Sequence, residues 1–159
     1  MSDPVIRVAG GADARALAAL RRAWTAEESP AEDGHAGDEA FEARFLDWYA
    51  RESARRVSWM AEVAGQPVGM MNLAVFERMP RPGRDAVSWG YLANAFVLAG
   101  YRNQGIGARL LRAVLAHAGE HQYARVLLRP SDRAVPFYER LGFTGDHELL
   151  IWRPAPAPG

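Results

Sequence analysis

Residues 97–108, which read VLAGYRNQGIGA, join a strand-like segment to a helix-like segment. An apolar run precedes the turn at 91–98, and an amphipathic run follows it from 106 to about 121. The first turn of a helix has about four backbone N–H groups without partners and carries roughly half a positive charge. Because Gly105 and Gly107 leave the backbone open to a ligand, such a turn is able to bind phosphate or pyrophosphate. The same glycines also fit a tight strand-to-helix turn that binds nothing.

Two common nucleotide-binding motifs do not fit this turn. There is no Gly-x-x-x-x-Gly-Lys-Ser/Thr sequence, which argues against a P-loop nucleotidase. Leu110 stands where a dinucleotide-binding Gly-x-Gly-x-x-Gly motif needs its third glycine. The turn therefore predicts an anion site of another kind.

The composition predicts one domain at residues 1–153, followed by a disordered Pro/Ala tail at 154–159. Arg supplies 19 positive charges against 19 negative charges from Asp and Glu, so no net charge favours nucleic acid or an anionic membrane. The absence of Cys excludes disulfides, thiolate metal sites and a Cys nucleophile, and we expect no metal. The chain has neither a signal-like start nor a long apolar run, so we expect a cytoplasmic protein.

Hydrophobic periodicity predicts alternating strands and helices. The predicted strands cover residues 5–8, 57–63, 67–75, 89–98, 125–128 and 147–152, and the predicted helices cover about 14–28, 38–53, 106–121 and 133–141. Asp13 is the predicted cap of the first helix. This order indicates an α/β domain with a mixed sheet flanked by helices.

Two sequence blocks carry a resemblance to a known family. Val97 followed by residues 101–107, YRNQGIG, resembles the Arg/Gln-x-x-Gly-x-Gly/Ala motif of the GNAT superfamily of acetyl-CoA-dependent N-acyltransferases. Residues 134–143, AVPFYERLGF, look like the second common signature of that family. The blocks stand in the family's order, about one helix and one strand apart, and cover roughly residues 90–145. The resemblance implies the GNAT fold, with a mixed, mostly antiparallel central sheet, flanking helices and a splayed central strand pair.

The resemblance also implies where acetyl-CoA binds. The pantetheine arm is expected to bond like an extra strand to the freed backbone of Ala95, Phe96 and Val97. The pyrophosphate is expected on the turn that follows, which comprises Arg102, Asn103, Gln104, Gly105, Ile106, Gly107 and Ala108. Arg102 is expected to shape the turn and add positive charge, and Asn in place of a frequent glycine at 103 still tolerates a left-handed backbone. Ser131 replaces a frequent coenzyme-binding Asn, which puts one pantetheine contact in doubt.

The implied reaction is attack of an acceptor amine on the acetyl thioester. Tyr138 occupies the family's usual position for the acid that protonates the leaving thiolate; alternatively it is a packing residue. Some members carry a Glu twelve residues before this Tyr, where the present chain has Val126. The base is therefore open between Asn94, Glu62 and a water chain. Asn94 is the one polar residue in a strand expected to be buried on both faces, and it either satisfies neighbouring backbone or contacts the acceptor or a catalytic water.

The acceptor is predicted to be a primary amine of a small molecule or peptide. Seven carboxylates without an Arg lie within residues 27–42, which indicates either a solvated loop or a funnel for a cationic acceptor. The aromatic stripe Phe41, Phe45, Trp48 and Tyr49 either packs in the core or lines the acceptor pocket. Arginines at 78, 81 and 84 either decorate a loop or contact the coenzyme 3′-phosphate. A non-catalytic acyl-CoA-binding or sensor domain is the alternative function, and a homodimer is also considered.

Overall fold

A computed structural model describes residues 2–30, 37–145 and 149–154. The chain forms two compact units, residues 1–129 and 130–159. The first unit contains the elements β1 Val5–Val8, α1 Ala14–Glu28, α2 Phe41–Glu52, β2 Arg56–Val63, β3 Gln66–Glu77, β4 Ser88–Val97, α3 Ile106–Glu120 and β5 Val126–Leu128. The positions and types of these elements agree with the predicted strands and helices.

The five strands form one mixed sheet in the order β1-β2-β3-β4-β5. Neighbours pair antiparallel from β1 to β4, whereas β4 and β5 pair parallel. The β4–β5 pairing comprises only Gly90 with Val126, Tyr91 with Leu127 and Leu92 with Leu128. The remaining residues of β4 extend beyond this short ladder, because β5 ends at Leu128. The predicted fold class is confirmed.

The core of this unit lies where α3 packs on the sheet. Apolar residues at helical spacing on α3, including Leu110, Leu111 and Val114, have no measurable exposure. They face β3, because a Cβ on Gly69 of that strand would stand 3.3 Å from Cδ1 of Leu110, and Leu73 on the same strand is equally buried. Gly90 lies so close to this layer that a Cβ there would stand 2.7 Å from Cδ1 of Leu73. The helix that follows the Gly-x-Gly turn is therefore fixed against the centre of the sheet.

An ion-pair network ties β1 to β2 and to the turn before α1. Arg7 donates to both carboxylate oxygens of Asp13 at 2.8 Å and to Glu62 at 2.8 Å. Asp13 also accepts the backbone N–H of Gly10, and its side chain does not cap α1. Asp13 thus occupies the predicted N-cap position of α1 but makes no capping hydrogen bond with its side chain, because its carboxylate is bonded to Arg7 and to Gly10.

The second unit contains α4 Val135–Arg140, which follows a short 3-10 turn at Asp132–Ala134. Pro136 lies in the first turn of α4, where it needs no hydrogen-bond partner. The chain leaves α4 through Gly142, which has a φ of 95°. The predicted last strand is not seen over residues 149–152, and the rest of it at 147–148 lies outside the described residues. Of the predicted tail, only Pro154 is described, without regular structure.

No helix within the described residues is long and apolar enough to cross a membrane. Across the same ranges, no group of three or more His, Cys, Asp or Glu side chains is placed to hold a metal ion.

Candidate active site

A β-bulge interrupts β4 at Asn94. Ala93 pairs with Asn72 and Phe96 pairs with Met70, so three steps along β4 match two steps along β3. Asn94 and Ala95 therefore face Met71 alone, and Asn94 has a φ of 55° in the left-handed region. Bulges of this kind re-aim a side chain and often lie beside active sites. Asn94, which the sequence singled out as the polar residue of this strand, is the residue that the bulge displaces.

Beyond the bulge, one edge of β4 has no strand beside it. The parallel ladder with β5 ends at Leu92, and β4 continues for five residues to Val97. Over these residues the opposite edge stays paired with β3, through Phe96 with Met70 and Val97 with Gly69. Ala95, Phe96 and Val97 thus lie on a stretch whose β5 side is free of strand partners among the described residues. A free strand edge of this kind accepts an extended ligand by backbone hydrogen bonds.

The turn after β4 presents the start of α3. Gly105 is the residue before the helix and has a φ of 79°, and Asn103 has a φ of 60°, as its tolerance of left-handed backbone suggested. No side chain caps the helix. No atom outside the adjacent residues lies within 4 Å of the place where a Cβ on Gly105 would stand. The first turn of α3 is therefore an open N-terminus of a fifteen-residue helix, which suits an anion.

Arg102 and Gln104 brace this turn from within. Arg102 donates through Nε to the carbonyl of Val97 at 2.8 Å, and its guanidinium also pairs with Glu27 of α1. Gln104 donates to the carbonyl of Gly100 at 3.2 Å. The expected shaping role of Arg102 agrees with these contacts. Its expected contribution of positive charge stays a prediction, and the ion pair with Glu27 weakens that charge.

A cavity of about 220 Å³ opens beside the bulge. Its walls come from α1, α2 and strands β2 to β4, and the lining residues are Leu17, Arg21, Phe41, Phe45, Trp48, Tyr49, Ser58, Met70, Met71, Asn72 and Asn94. The aromatic stripe of α2 therefore lines a pocket, as one of its two predicted roles requires. Phe45 and Tyr49 also pack against the buried core, so the two roles are combined.

Buried polar groups on the cavity floor satisfy one another. Asn72 accepts from Arg56 at 2.9 Å and donates to Ser58 at 2.8 Å, and Arg56 also pairs with Glu52 at 2.9 Å. Burial raises the pKa of Tyr49, against the opposing effect of a hydrogen bond with Ser58. The hydrogen bonds link these side chains into one chain of partners, which holds the floor of the cavity rigid.

Arg21 and Asn94 on the cavity wall have no side-chain hydrogen-bond partner among the described residues, and neither does the indole N–H of Trp48. The prediction that Asn94 satisfies neighbouring backbone is therefore not supported, and its other predicted role, contact with an acceptor or a water, stays open. Sequence reasoning missed Arg21. It lies four residues after Leu17 and three before Trp24, so a charged residue within the apolar stripe of α1 was the available signal.

The acidic stretch at 27–42 is less negative than its sequence suggests. Three of its carboxylates are paired with arginines from outside the stretch, namely Glu27 with Arg102, Asp38 with Arg44 and Glu42 with Arg15. Glu32 and Asp33 lie outside the described residues. No carboxylate is found among the cavity-lining residues that the structure describes. The described walls therefore do not support a funnel for a cationic acceptor.

Glu62 is not placed to act as the base. Its carboxylate is held by Arg7 on β1 and is not part of the cavity wall. The arginines at 78, 81 and 84 follow β3 and precede β4. They thus stand at the opposite end of β4 from the Gly-x-Gly turn, roughly 33 Å away for a ten-residue strand. Contact with a phosphate group of a coenzyme on that turn is disfavoured.

The second unit contains Tyr138 and Ser131. Tyr138 lies on α4, and its ring contacts Phe137 and Phe143 with centroid separations of 5.0 and 5.7 Å. Burial raises the pKa of the Tyr138 hydroxyl, which keeps it protonated at neutral pH. Ser131 is exposed and precedes the 3-10 turn, where its carbonyl accepts the N–H of Ala134.

Comparisons with known proteins give a family match and a consistent fold. Residues 17–143 match the model of the Acetyltransferase (GNAT) family. A glucosamine 6-phosphate N-acetyltransferase from Trypanosoma brucei brucei is 30% identical over 79 residues, which cover 50% of this chain and 52% of that protein. The match thus spans about half the length of this curated relative.

Two solved structures illustrate the fold. A "predicted acetyltransferase" from Clostridium acetobutylicum, solved with acetyl-CoA, has a TM-score of 0.74 at 20% identity and covers 95% of this chain and 96% of its own. A GCN5-related N-acetyltransferase from Ralstonia eutropha JMP134 has a TM-score of 0.73 at 25% identity and covers 96% and 99%. The family and enzyme class predicted from the sequence are confirmed, and the chain belongs to the GNAT acetyltransferase family.

Proposed function

We propose that this protein transfers the acetyl group of acetyl-CoA to the primary amine of a small molecule. The observation that carries the proposal is that three features of the site follow one another along β4. This one strand supplies a free edge after Leu92, a bulged Asn94 on a cavity wall and, at its end, the open start of α3. A thioester that extends along the free edge would thus end beside a cavity able to hold an amine.

The residues present fit acetyl-CoA. We propose that the backbone of Ala95, Phe96 and Val97 bonds the pantetheine arm, because this edge has no strand partner. The N–H groups of residues 103–108 would hold the pyrophosphate, since the space beside Gly105 is open and the helix start is uncapped. Ser131 is proposed as a further hydroxyl contact, by its place in the family motif. The Clostridium acetobutylicum relative of the same fold was solved with acetyl-CoA, which supports this choice of donor.

Acetyl-CoA, when bound, supplies a thioester that an uncharged amine is able to attack. The chain's own contribution is to orient the amine in the cavity, which alone is worth several kcal/mol. We propose that Asn94 contacts the amine or a water that removes its proton, since an amide cannot itself act as a base. Tyr138 is proposed as the acid that protonates the leaving thiolate, by its place in the family motif and because its hydroxyl is protonated at neutral pH.

The size of the cavity favours a small acceptor. At about 220 Å³ it is below the range of roughly 300–1,000 Å³ of drug-sized ligand sites. The Trypanosoma relative is named for acetylating glucosamine 6-phosphate, a small phosphorylated amine. This name supports a small-molecule acceptor over a peptide, but it does not identify the acceptor of this chain.

A non-catalytic acyl-CoA-binding domain is the second candidate, favoured by Val126 where some family members carry a Glu and by Ser131 where an Asn is frequent. The deciding experiment incubates the protein with acetyl-CoA and a panel of primary amines, and measures released thiol together with the mass of the product. Amine-dependent thiol release and a product heavier by one acetyl group are expected. Tight acetyl-CoA binding without any acetylated amine would contradict catalysis and favour the binding domain.

We extend the proposal to a homodimer. Leu149, Leu150, Ile151 and Trp152 form an apolar run whose residues are 59–99% exposed, and exposed apolar patches often mark association sites. Light scattering after gel filtration is expected to give twice the chain mass. A monomer mass at all concentrations would contradict the dimer. A cytoplasmic location stays a prediction.

A further inference from the structure

Some polar groups that line the cavity already have hydrogen-bond partners within the protein, and others are available to a ligand. Ser58 and Asn72 are bonded to each other, and the Tyr49 hydroxyl donates to the carbonyl of Ala9 at 3.4 Å. Arg21, Asn94 and the indole N–H of Trp48 are the polar lining groups without a hydrogen-bond partner among the described residues. Of these, Arg21 is the charged group, and Asn94 is the one that both donates and accepts hydrogen bonds.

Stacking positions the guanidinium of Arg21 so that it is able to bind an anion. Its guanidinium stacks over the ring of Trp24, with the central carbon 4.5 Å from the ring centroid. Trp24 in turn stacks on Phe96 of β4 with centroids 5.8 Å apart. Stacking occupies the face of the guanidinium and leaves its N–H edge available, the edge that pairs with a carboxylate in a fork geometry. None of the described carboxylates pairs with Arg21, although eight ion pairs between described residues involve other arginines.

Asn94 is suited to bind the amine of an acceptor. Its amide both donates and accepts hydrogen bonds, so it is able to accept one from an amine. Arg21 only donates, and its fixed positive charge repels a second cation on the same ligand. The rest of the lining is mostly apolar and aromatic, and includes Phe41, Phe45 and Trp48. This arrangement matches a ligand with one amine, one anionic group and an apolar body.

We propose that the acceptor is a small amine that carries a carboxylate on an apolar body, and that Arg21 pairs with the carboxylate. The inference rests on the proposed acetyl transfer and names its substrate class. The amine nitrogen forms a bond to the acetyl carbon and loses a proton, the carbon–sulfur bond breaks, and the thiolate gains a proton. The carboxylate takes no part in the bond changes and serves only to orient the amine.

The test compares acceptors built on one scaffold. Phenethylamine has the amine and the ring without a carboxylate, phenylalanine adds a carboxylate beside the amine, and para-(aminoethyl)benzoate adds it across the ring. Spermidine represents a cationic acceptor. Wild-type protein is expected to give a higher kcat/KM for at least one carboxylate-bearing amine than for phenethylamine and spermidine. A higher kcat/KM for spermidine would overturn the inference and restore the cationic acceptor.

The variant Arg21→Gln removes the charge while keeping most of the side chain. It is expected to lower kcat/KM for the preferred carboxylate-bearing amine by about 10- to 100-fold, the range for losing a hydrogen bond to a charged group. Its kcat/KM for phenethylamine is expected to stay within about threefold of wild type. Arg51→Gln is the matched control, because Arg51 is an exposed residue of α2 outside the cavity lining. If Arg21→Gln changes kcat/KM for the carboxylate-bearing amine and for phenethylamine by the same factor, as is expected of Arg51→Gln, Arg21 does not recognise the carboxylate.

A binding measurement separates failure of this inference from failure of the proposed function. Phenylpropionate has the ring and carboxylate but no amine, so its effect on the melting temperature does not depend on catalysis. It is expected to stabilise wild type and Arg51→Gln and to leave Arg21→Gln unchanged. If no amine is acetylated while this pattern holds, acetyl transfer is wrong and the carboxylate site stands. Equal shifts in wild type and Arg21→Gln, or no shift in either, would overturn the carboxylate site itself.

Discussion

At the scale of a single residue, the proposed acid is Tyr138. Its hydroxyl carries a proton throughout the neutral range, although burial raises its pKa and so makes it a weaker acid than an exposed tyrosine. We expect Tyr138→Phe to lower kcat by on the order of 10²-fold or more, the contribution of a general acid. KM for acetyl-CoA is expected to change little, because only one hydroxyl is lost. Steady-state rates within about threefold of wild type would instead make Tyr138 a packing residue.

A second single-residue prediction concerns stability in acid. The hydrogen bond from Arg7, with help from the N–H of Gly10, lowers the pKa of Asp13 from 3.8 to about 2. A lowered folded-state pKa stabilises the protein above pH 3.8, and this contribution is lost as the pH falls from 3.8 towards 2. We expect Asp13→Asn to be less stable at neutral pH and to lose less stability over that pH window. Denaturant unfolding at pH 6 and pH 3 measures both values; parallel losses in the two proteins would contradict the linkage.

Single residues also show which parts of the candidate site can be predicted from the sequence and which cannot. Gly105, Gly107 and Tyr138 could be proposed as site residues because their motifs are local in sequence. The partner of Arg102 was not found, because Glu27 lies 75 residues away. Arg21 was missed for a related reason: a cation without a partner is recognised only after all neighbouring carboxylates have been placed.

At the scale of the elements, the tightest packing is between β3 and β4. Because a Cβ on Gly90 would stand 2.7 Å from Cδ1 of the fully buried Leu73, we expect Gly90→Ala to destabilise the protein by about 1–3 kcal/mol, as overpacking does. Gly119→Ala on α3 is the control, since no atom lies within 4 Å of its added methyl group. Ala favours a helix, so this control is expected to be neutral or more stable. Equal unfolding free energies for the two variants would contradict the packing argument.

Strand and helix types were predictable because their hydrophobic periods are local. The bulge at Asn94 was not predictable, since it depends on the register between β4 and β3. The sequence showed only that a polar residue interrupts an apolar strand. The predicted last strand at 147–152 had a suitable pattern, but the described residues 149–152 have no strand partner. A strand requires a neighbour as well as a pattern.

At the scale of the whole molecule, the charges balance at 19 of each sign. Several carboxylates of the stretch at 27–42 are paired with arginines, so we expect no long-range attraction of cationic acceptors. Salt screens exposed charges beyond roughly 8 Å at physiological strength, so it would weaken any such attraction. Because we expect no attraction, kcat/KM for spermidine should not fall as salt rises. A steep fall that is absent from a variant with Glu32→Gln and Asp33→Asn would contradict this view and restore the funnel.

The central claim is that acetyl-CoA binds along the free edge of β4 with its pyrophosphate at the start of α3. Calorimetric titration of acetyl-CoA into wild type, Gly107→Val and Gly119→Val tests it most directly. The two variants carry the same substitution at opposite ends of α3, and thermal unfolding checks that both fold. We predict that Gly107→Val abolishes binding, because its side chain enters the pyrophosphate path, while Gly119→Val binds like wild type. Unchanged affinity in a folded Gly107→Val variant would contradict the claim and place the coenzyme elsewhere.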